Sequence, residues 1–387
     1  MNRRIWTSFI LTALLTLTGC WDRAELPEKG FVMGIAIDKA DDGKVAITTQ
    51  IYRPSQGVSA GARKAKTAYI NISTVNQTLS RAIRDIPIIL GRKAQWSHIH
   101  LIVVGEQLAR ESHILDTLEF FYRDHEPRLT VSVMIGQGKA EQYLKSQPLI
   151  ENTTSQQLFQ SAEKVSTWGG KTLFANLLTM GLQLESELGN AVIPYVYFSE
   201  DTPKVIKVSG VALLRKGKLV GRMEPLLVEG LQMLTNDFEN GMLEIACSGP
   251  SKNSRKKTEA VEVGTLKSTT KPVAFSENSM RYRISVSLDV SVVELGCNEI
   301  KTIQDERKFA SLLEERVKEL LEETLDWLQL KKFDALGLGN RLYRTNPRLW
   351  KKWKSDWDDR FARAKFDIVV KVRNNSSGTT IGKPVSK

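Results

Sequence analysis

Apolar positions along the 387-residue chain follow two periods, and each predicts its own kind of element. Residues 31–38 and 44–52 are β-rich apolar runs separated by Asp41-Asp42-Gly43, a turn signature that predicts a hairpin. The Gly-, Ser- and Lys-containing stretch 54–66 reads as a loop. From Thr74 onward Val75, Leu79, Ala82, Ile83 and Ile86 recur at helical spacing, and Pro87 closes that helix. Residues 99–104 predict a short buried strand. Leu108, Ile114, Leu115, Leu118 and Phe121 trace a second helix, and 129–135 a further strand, which together make an α/β unit. Residues 172–188 carry Leu173, Leu177, Leu178, Gly181 and Leu184 on one helical side, and 191–198 return to strand character.

A first domain boundary is expected near Thr202-Pro203. Strands over 205–214, 218–221 and 242–246 with a helix over 224–236 predict a smaller domain, which includes a polar, basic loop at 249–257. Tyr282, Ile284, Val286 and Leu288 alternate as a half-buried strand within 281–295. The clearest helix spans 304–329, with Phe309, Leu312, Leu313, Val317, Leu320, Leu321, Thr324 and Leu328 on its apolar stripe and glutamates on the solvated side. Trp350, Trp353, Trp357 and Phe361 repeat every three or four residues as one face of another helix, and 366–372 is a last strand. The expected class is α+β, with three domains each built of a sheet packed by helices: 20–201, 202–270 and 271–387.

The first 20 residues add an address. Arg3 and Arg4 precede an apolar stretch over 5–17, too short to span a bilayer comfortably, and Leu17-Thr18-Gly19-Cys20 follows. This reads as a signal peptide of residues 1–19 ending in a lipobox, with Cys20 carrying diacylglycerol as the first mature residue. Several acyl chains anchor stably where one is marginal. No later run is long and apolar enough to span, so the body is expected outside the membrane, held by lipid. The net charge of +11, two of it from Arg3 and Arg4, favours an anionic surface. Its basic residues lie in separate patches without a nucleic-acid-binding motif, so nucleic acid is not an expected partner. Cys247 and Cys297 are left as a disulfide or as two free thiols.

Candidate chemistry is sparse. His98 and His100 share one face if they lie on a strand, but no Cys or carboxylate third ligand accompanies them, so no metal is expected. There is no phosphate loop, nucleophile elbow or metalloprotease motif, and the chain is read as a non-enzyme that needs no cofactor. Arg123, Asp124 and Arg128 between a helix and a strand can form a charge-assisted corner or a ligand cluster. Asp334, Gly337 and Gly339 fit a tight turn, the aspartate accepting backbone N–H bonds and glycine supplying unusual dihedrals. Trp350, Trp353 and Trp357 fit a core or inter-domain seam, or an exposed binding platform. Trp21, Asp22, Arg23 and Glu25, just past Cys20, either orient the body against a partner or headgroups, or tie the first segment to the first domain.

The segment Gly19-Cys20-Trp21-Asp22-Arg23-Ala24-Glu25-Leu26 resembles the spore germination C-component family, the lipoproteins of nutrient germinant receptors. The similarity continues at Gly34-Ile35-Ala36-Ile37-Asp38, at Tyr122-Arg123-Asp124 with Arg128, at 332–339 with Asp334, Gly337 and Gly339, and at Pro347, Trp350 and Trp357. The resemblance implies a three-domain α+β lipoprotein outside the inner spore membrane, acting with the membrane-embedded A and B components of the germinant receptor in nutrient sensing. It names no nutrient. Direct nutrient capture by the exported body is the alternative.

Overall fold

The computed structural model describes residues 29–53, 68–247, 258–277 and 279–376. The signal peptide, Cys20, Trp21, Asp22, Arg23 and Glu25, and the loops expected at 54–66 and 249–257, lie outside the described residues.

Two sheets, not the expected three, organise the described residues. The first begins with an antiparallel meander of β1 (Lys29–Lys39), β2 (Val45–Tyr52) and β3 (Tyr69–Asn76). Parallel strands β5 (Leu101–Gly105), β6 (Ser132–Gly136) and β7 (Asn190–Phe198) follow beside β1, and β8 (Ile206–Arg215) with β9 (Lys218–Met223) closes the far edge as a second meander. A short β4 (Lys93–Gln95) also pairs with β1. β5 is apolar at every position because both of its faces are covered. Ile102 and Val104 face one core, and Leu101 and Val103 the other. Helices α1 (Leu79–Arg84), α2 (Ile86–Leu90), α3 (Glu106–Glu111), α4 (Ile114–Thr117), α5 (Glu119–Arg123) and α8 (Leu177–Leu184) carry residues of the first core; α6 (Glu141–Lys145) and α7 (Thr154–Gly169) carry residues of the second.

The second sheet is β10 (Gly241–Ala246), β11 (Thr258–Ser276), β12 (Ser279–Glu294) and β13 (Lys365–Ser376), antiparallel except for the parallel β12–β13 pair. Every second residue of β12 from Met280 to Val292 is buried, and α10 (Ile303–Leu330) shares a core with those from Ile284 onward through its stripe from Phe309 to Leu325. Thr302 and Asp305 start α10 with a capping box, which satisfies two free N–H groups. Between the sheets, α9 (Pro225–Thr235) crosses α10 so closely that a Cβ on Gly230 would lie 2.1 Å from Thr324 Oγ1.

Several expectations change. The pairing of β3 with β2 runs to Asn76, so residues 74–76 are strand and the helix starts after Thr78, whose side chain caps it. Pro87 sits in the first turn of α2, where its missing N–H costs nothing, rather than ending a helix. The helix through Leu108–Phe121 is broken at His113 and Leu118 into α3, α4 and α5. The 16-residue α7 lies where no element is expected, and its fully buried residues are Thr154, Ser155, Leu158 and Ala162. The tryptophan helix is two short helices, α12 (Pro347–Trp353) and α13 (Trp357–Ala362), joined by a 3-10 turn. His98 ends another 3-10 turn, so it and His100 are not on a strand. The break expected at 202 is a connection inside the first sheet, since Phe198 pairs with Ile206. The break at 270/271 falls within β11, where Thr270 pairs with Ile284. The strands assigned to a middle domain are divided between the two sheets.

Candidate functional site

The segment after α10 ties the two sheets together. Lys332 turns the chain with φ 51°, and Phe333 is buried with its N–H on Leu328 O. Asp334 follows, 1% exposed; its Oδ1 accepts from the Leu338 N–H at 3.1 Å and its Oδ2 from the Gly339 N–H at 2.8 Å. These bonds satisfy the first turn of α11 (Leu338–Thr345). Gly337 is left-handed (φ 67°) with open space around it, so its glycine answers a backbone angle. Gly339 answers crowding: a Cβ there would lie 2.6 Å from Leu188 and 2.9 Å from both Trp350 and Trp357. Trp357 Nε1–H donates to Asp334 Oδ2 at 3.1 Å, and the Trp350 and Trp357 rings meet edge to face at 5.2 Å. Trp350 Nε1–H donates to Glu187 Oε2, which also accepts from Lys354. Asn190 of β7 donates to Asp334 O. Burial pushes the Asp334 carboxyl above its ordinary range, against the pull of its N–H donors. Lys354, then Trp350, hold Glu187 below its own. The tryptophans belong to an inter-sheet core with Val192 and Val211 of the first sheet and Tyr282 of the second.

A cleft of about 1540 Å³ opens between the halves, walled by α7, β8, α9, β10 and α10. Trp168, Lys171, Glu229, Met242, Leu312 and Arg316 are among its lining residues. Glu229 is 6% exposed and its carboxylate has no hydrogen-bond or ion-pair partner among the described residues. Burial raises its pKa to about 7, partly opposed by Lys171 and Arg316. A buried carboxyl held near neutrality in a polar-apolar cleft is suited to receive a cationic or hydrogen-bond-donating group.

Two family models match the chain: "Spore germination protein N-terminal domain" over residues 22–197 and "Spore germination B3/GerAC like, C-terminal" over 209–378. The chain belongs to the GerAC-like family of spore germination proteins. Spore germination protein A3 of Bacillus subtilis is 26% identical over 387 residues, covering 98% of this chain and 99% of that one. Spore germination protein KC of the same organism is 25% identical, covering 91% and 90%. The crystal structure of the GerBC protein shares the fold, with a TM-score of 0.58 at 18% identity, over 92% of this chain and 100% of that one. The gap between the two family segments contains the β7–β8 connection, so the first sheet draws strands from both.

The residues on which the sequence resemblance rests separate in the structure into a cluster and a scatter. Asp334, Gly337, Gly339, Trp350 and Trp357 form the inter-sheet knot. Arg123, Asp124 and Arg128 do not form a corner: Arg123 pairs with Glu119 one turn back at 2.7 Å, Asp124 accepts from the Glu126 N–H at 2.8 Å, and Arg128 is exposed. The helical i,i+4 spacing gives Arg123 a nearer carboxylate than Asp124. Asp38, next to last in β1, accepts from the Ala140 and Glu141 N–H groups at 2.6 and 2.9 Å, locking the loop after β6. His98 meets Phe31 edge to face, His100 packs at a tilt on Phe159, and burial lowers the pKa of His100. Among the described residues the set closest to a metal site is Cys247, Glu259 and Cys297, but Cys247 and Cys297 form a disulfide, Cα–Cα 6.0 Å, which removes both sulfurs as ligands. Glu259 instead accepts from the Cys297 and Asn298 N–H groups. Glu229 is the site residue that periodicity misses; its signal is an acid inside the apolar run Leu226–Leu234.

Proposed function

We propose that this chain is the non-catalytic C component of a spore nutrient germinant receptor, tethered through diacylglycerol on Cys20 to the outer face of the inner spore membrane. In this reading it assembles with the A and B membrane components or couples them to the germination response, while Trp21, Asp22, Arg23 and Glu25 orient the body at the membrane. The observation that carries it is the match to the two spore germination family models over residues 22–197 and 209–378. No helix among the described residues is long and apolar enough to cross a membrane, which accords with a lipid tether. The Cys247–Cys297 disulfide accords with an oxidising compartment. Affinity capture of the tagged full-length chain from spore membranes should recover the A and B components, and mass analysis should find an acylated N-terminal peptide beginning at Cys20. Recovery of the chain alone, unacylated, refutes the proposal.

The cleft supports a second reading, nutrient capture by this protein, because Glu229 stands unpartnered near Lys171 and Arg316, a pairing of charges suited to a small zwitterion. Calorimetry against amino acids, sugars and nucleosides discriminates it: saturable binding lost in Glu229→Gln favours capture, and silence across the panel removes it.

A further inference from the structure

The tip of α2 is apolar where its surroundings are basic. Ile86 is buried and Leu90 packs beside Gly30, which root the helix, whereas Ile88 and Ile89 are 81% and 61% exposed. Before and after them in the chain Arg81, Arg84 and Arg92 are exposed, and their side chains have no ion-pair partner among the described residues. Lys93 adds a further cation, paired with Glu126. The carboxylate closest in sequence, Asp85, is engaged by Asn76. Adjacent exposed isoleucines with exposed arginines on both sides in the chain match the chemistry of a bilayer interface, where apolar side chains enter the acyl boundary and guanidinium groups meet phosphate.

The tip also lies beside the point where the chain enters the body. Lys29, at the start of β1, pairs in register with Lys93, and Gly30 with Ala94. That entry is nine residues after Cys20, a span of about 30 Å at full extension. A lipid on Cys20 holds this part of the body within reach of the membrane.

We infer that Ile88 and Ile89 insert into the membrane as a second contact, with Arg81, Arg84 and Arg92 on anionic headgroups, so that the body is docked in one orientation rather than held by the lipid alone. The inference rests on the lipoprotein reading for proximity, but its test reads the tip itself. The full-length chain carrying Ile88→Cys is labelled there with an environment-sensitive fluorophore and reconstituted into vesicles of phosphatidylglycerol and phosphatidylcholine. The same label at Leu330→Cys, an exposed position at the end of α10 in the other half, is the control. The label at 88 should shift to the blue and be quenched at least twofold by nitroxide lipids, the label at 330 should report water, and Arg84→Glu with Arg92→Glu should abolish the quenching at 88. A label at 88 that reports water while the protein floats with the vesicles overturns the docking and leaves the lipid anchor standing. Equal quenching at both positions overturns it as non-specific adsorption. Mass analysis of the N-terminal peptide in the same sample judges the lipoprotein reading separately.

Discussion

Asp334 and Glu229 are both buried carboxyl groups raised above their ordinary pKa by desolvation, yet they do opposite work. Asp334 is surrounded by donors: two backbone N–H groups and an indole N–H converge on it, and its neighbours Gly337 and Gly339 are the residues that allow this approach. Glu229 meets no donor among the described residues and lines a cleft. A satisfied buried carboxylate fixes structure, because each N–H deprived of it becomes an unpaired buried donor. Glu229 has no such set of donors, and its carboxyl faces the space between the two halves. The knot therefore ties the sheets together, whereas Glu229 lines the cleft between them.

The severest challenge to this division is Asp334→Ala. It strands three donors in the seam and should lower unfolding stability by about 4 kcal/mol, measured by denaturant titration. A loss of under about 1 kcal/mol would show that the knot is not structural. Gly339→Ala comes next, at about 2 kcal/mol, since its new methyl must displace Leu188, Trp350 or Trp357 and the interior is already close-packed.

Glu229→Gln should do the reverse. With a folded pKa of about 7 against an ordinary 4.5, the group is protonated in both states at low pH and contributes nothing there. As pH rises from about 4.5 to 7 the unfolded chain releases its proton first, so stability falls, and above about 7 the penalty is complete. Removing the charge should raise stability by about 2 kcal/mol near pH 8 and leave it unchanged near pH 4, so thermal unfolding at the two pH values reads the sign. The smallest effect belongs to an exposed family residue: Arg123→Ala breaks a solvent-facing pair with Glu119 and should change stability by less than about 0.5 kcal/mol.

The legible parts of the fold are those where one element meets one environment. The long amphipathic α10 and the alternating β12 stand where their patterns put them, because each buries a single face. The turn roles of Asp334 and Gly337 are readable too, since Asp and Gly have distinctive backbone preferences, whereas Gly339 lies inside α11 without a left-handed angle and is required by the crowding of Leu188, Trp350 and Trp357. What the chain conceals is pairing at a distance. The first sheet reaches across residue 202 through β7 and β8, and that union depends on partner strands rather than on local composition. α7 conceals itself by burying threonine, serine and alanine. Glu229 sits in an apolar run, and only its neighbours, Lys171 and the residues of α10, turn it from an interruption into a cleft residue.

Whether this chain serves the germination response as a receptor component is read most directly from nutrient-triggered germination of native spores from which its gene has been deleted, in a strain also lacking duplicate receptors. The expected outcome is loss of at least one nutrient response, normal vegetative growth, and restoration by the wild-type chain. Unimpaired germination to every nutrient in that strain would contradict the assignment.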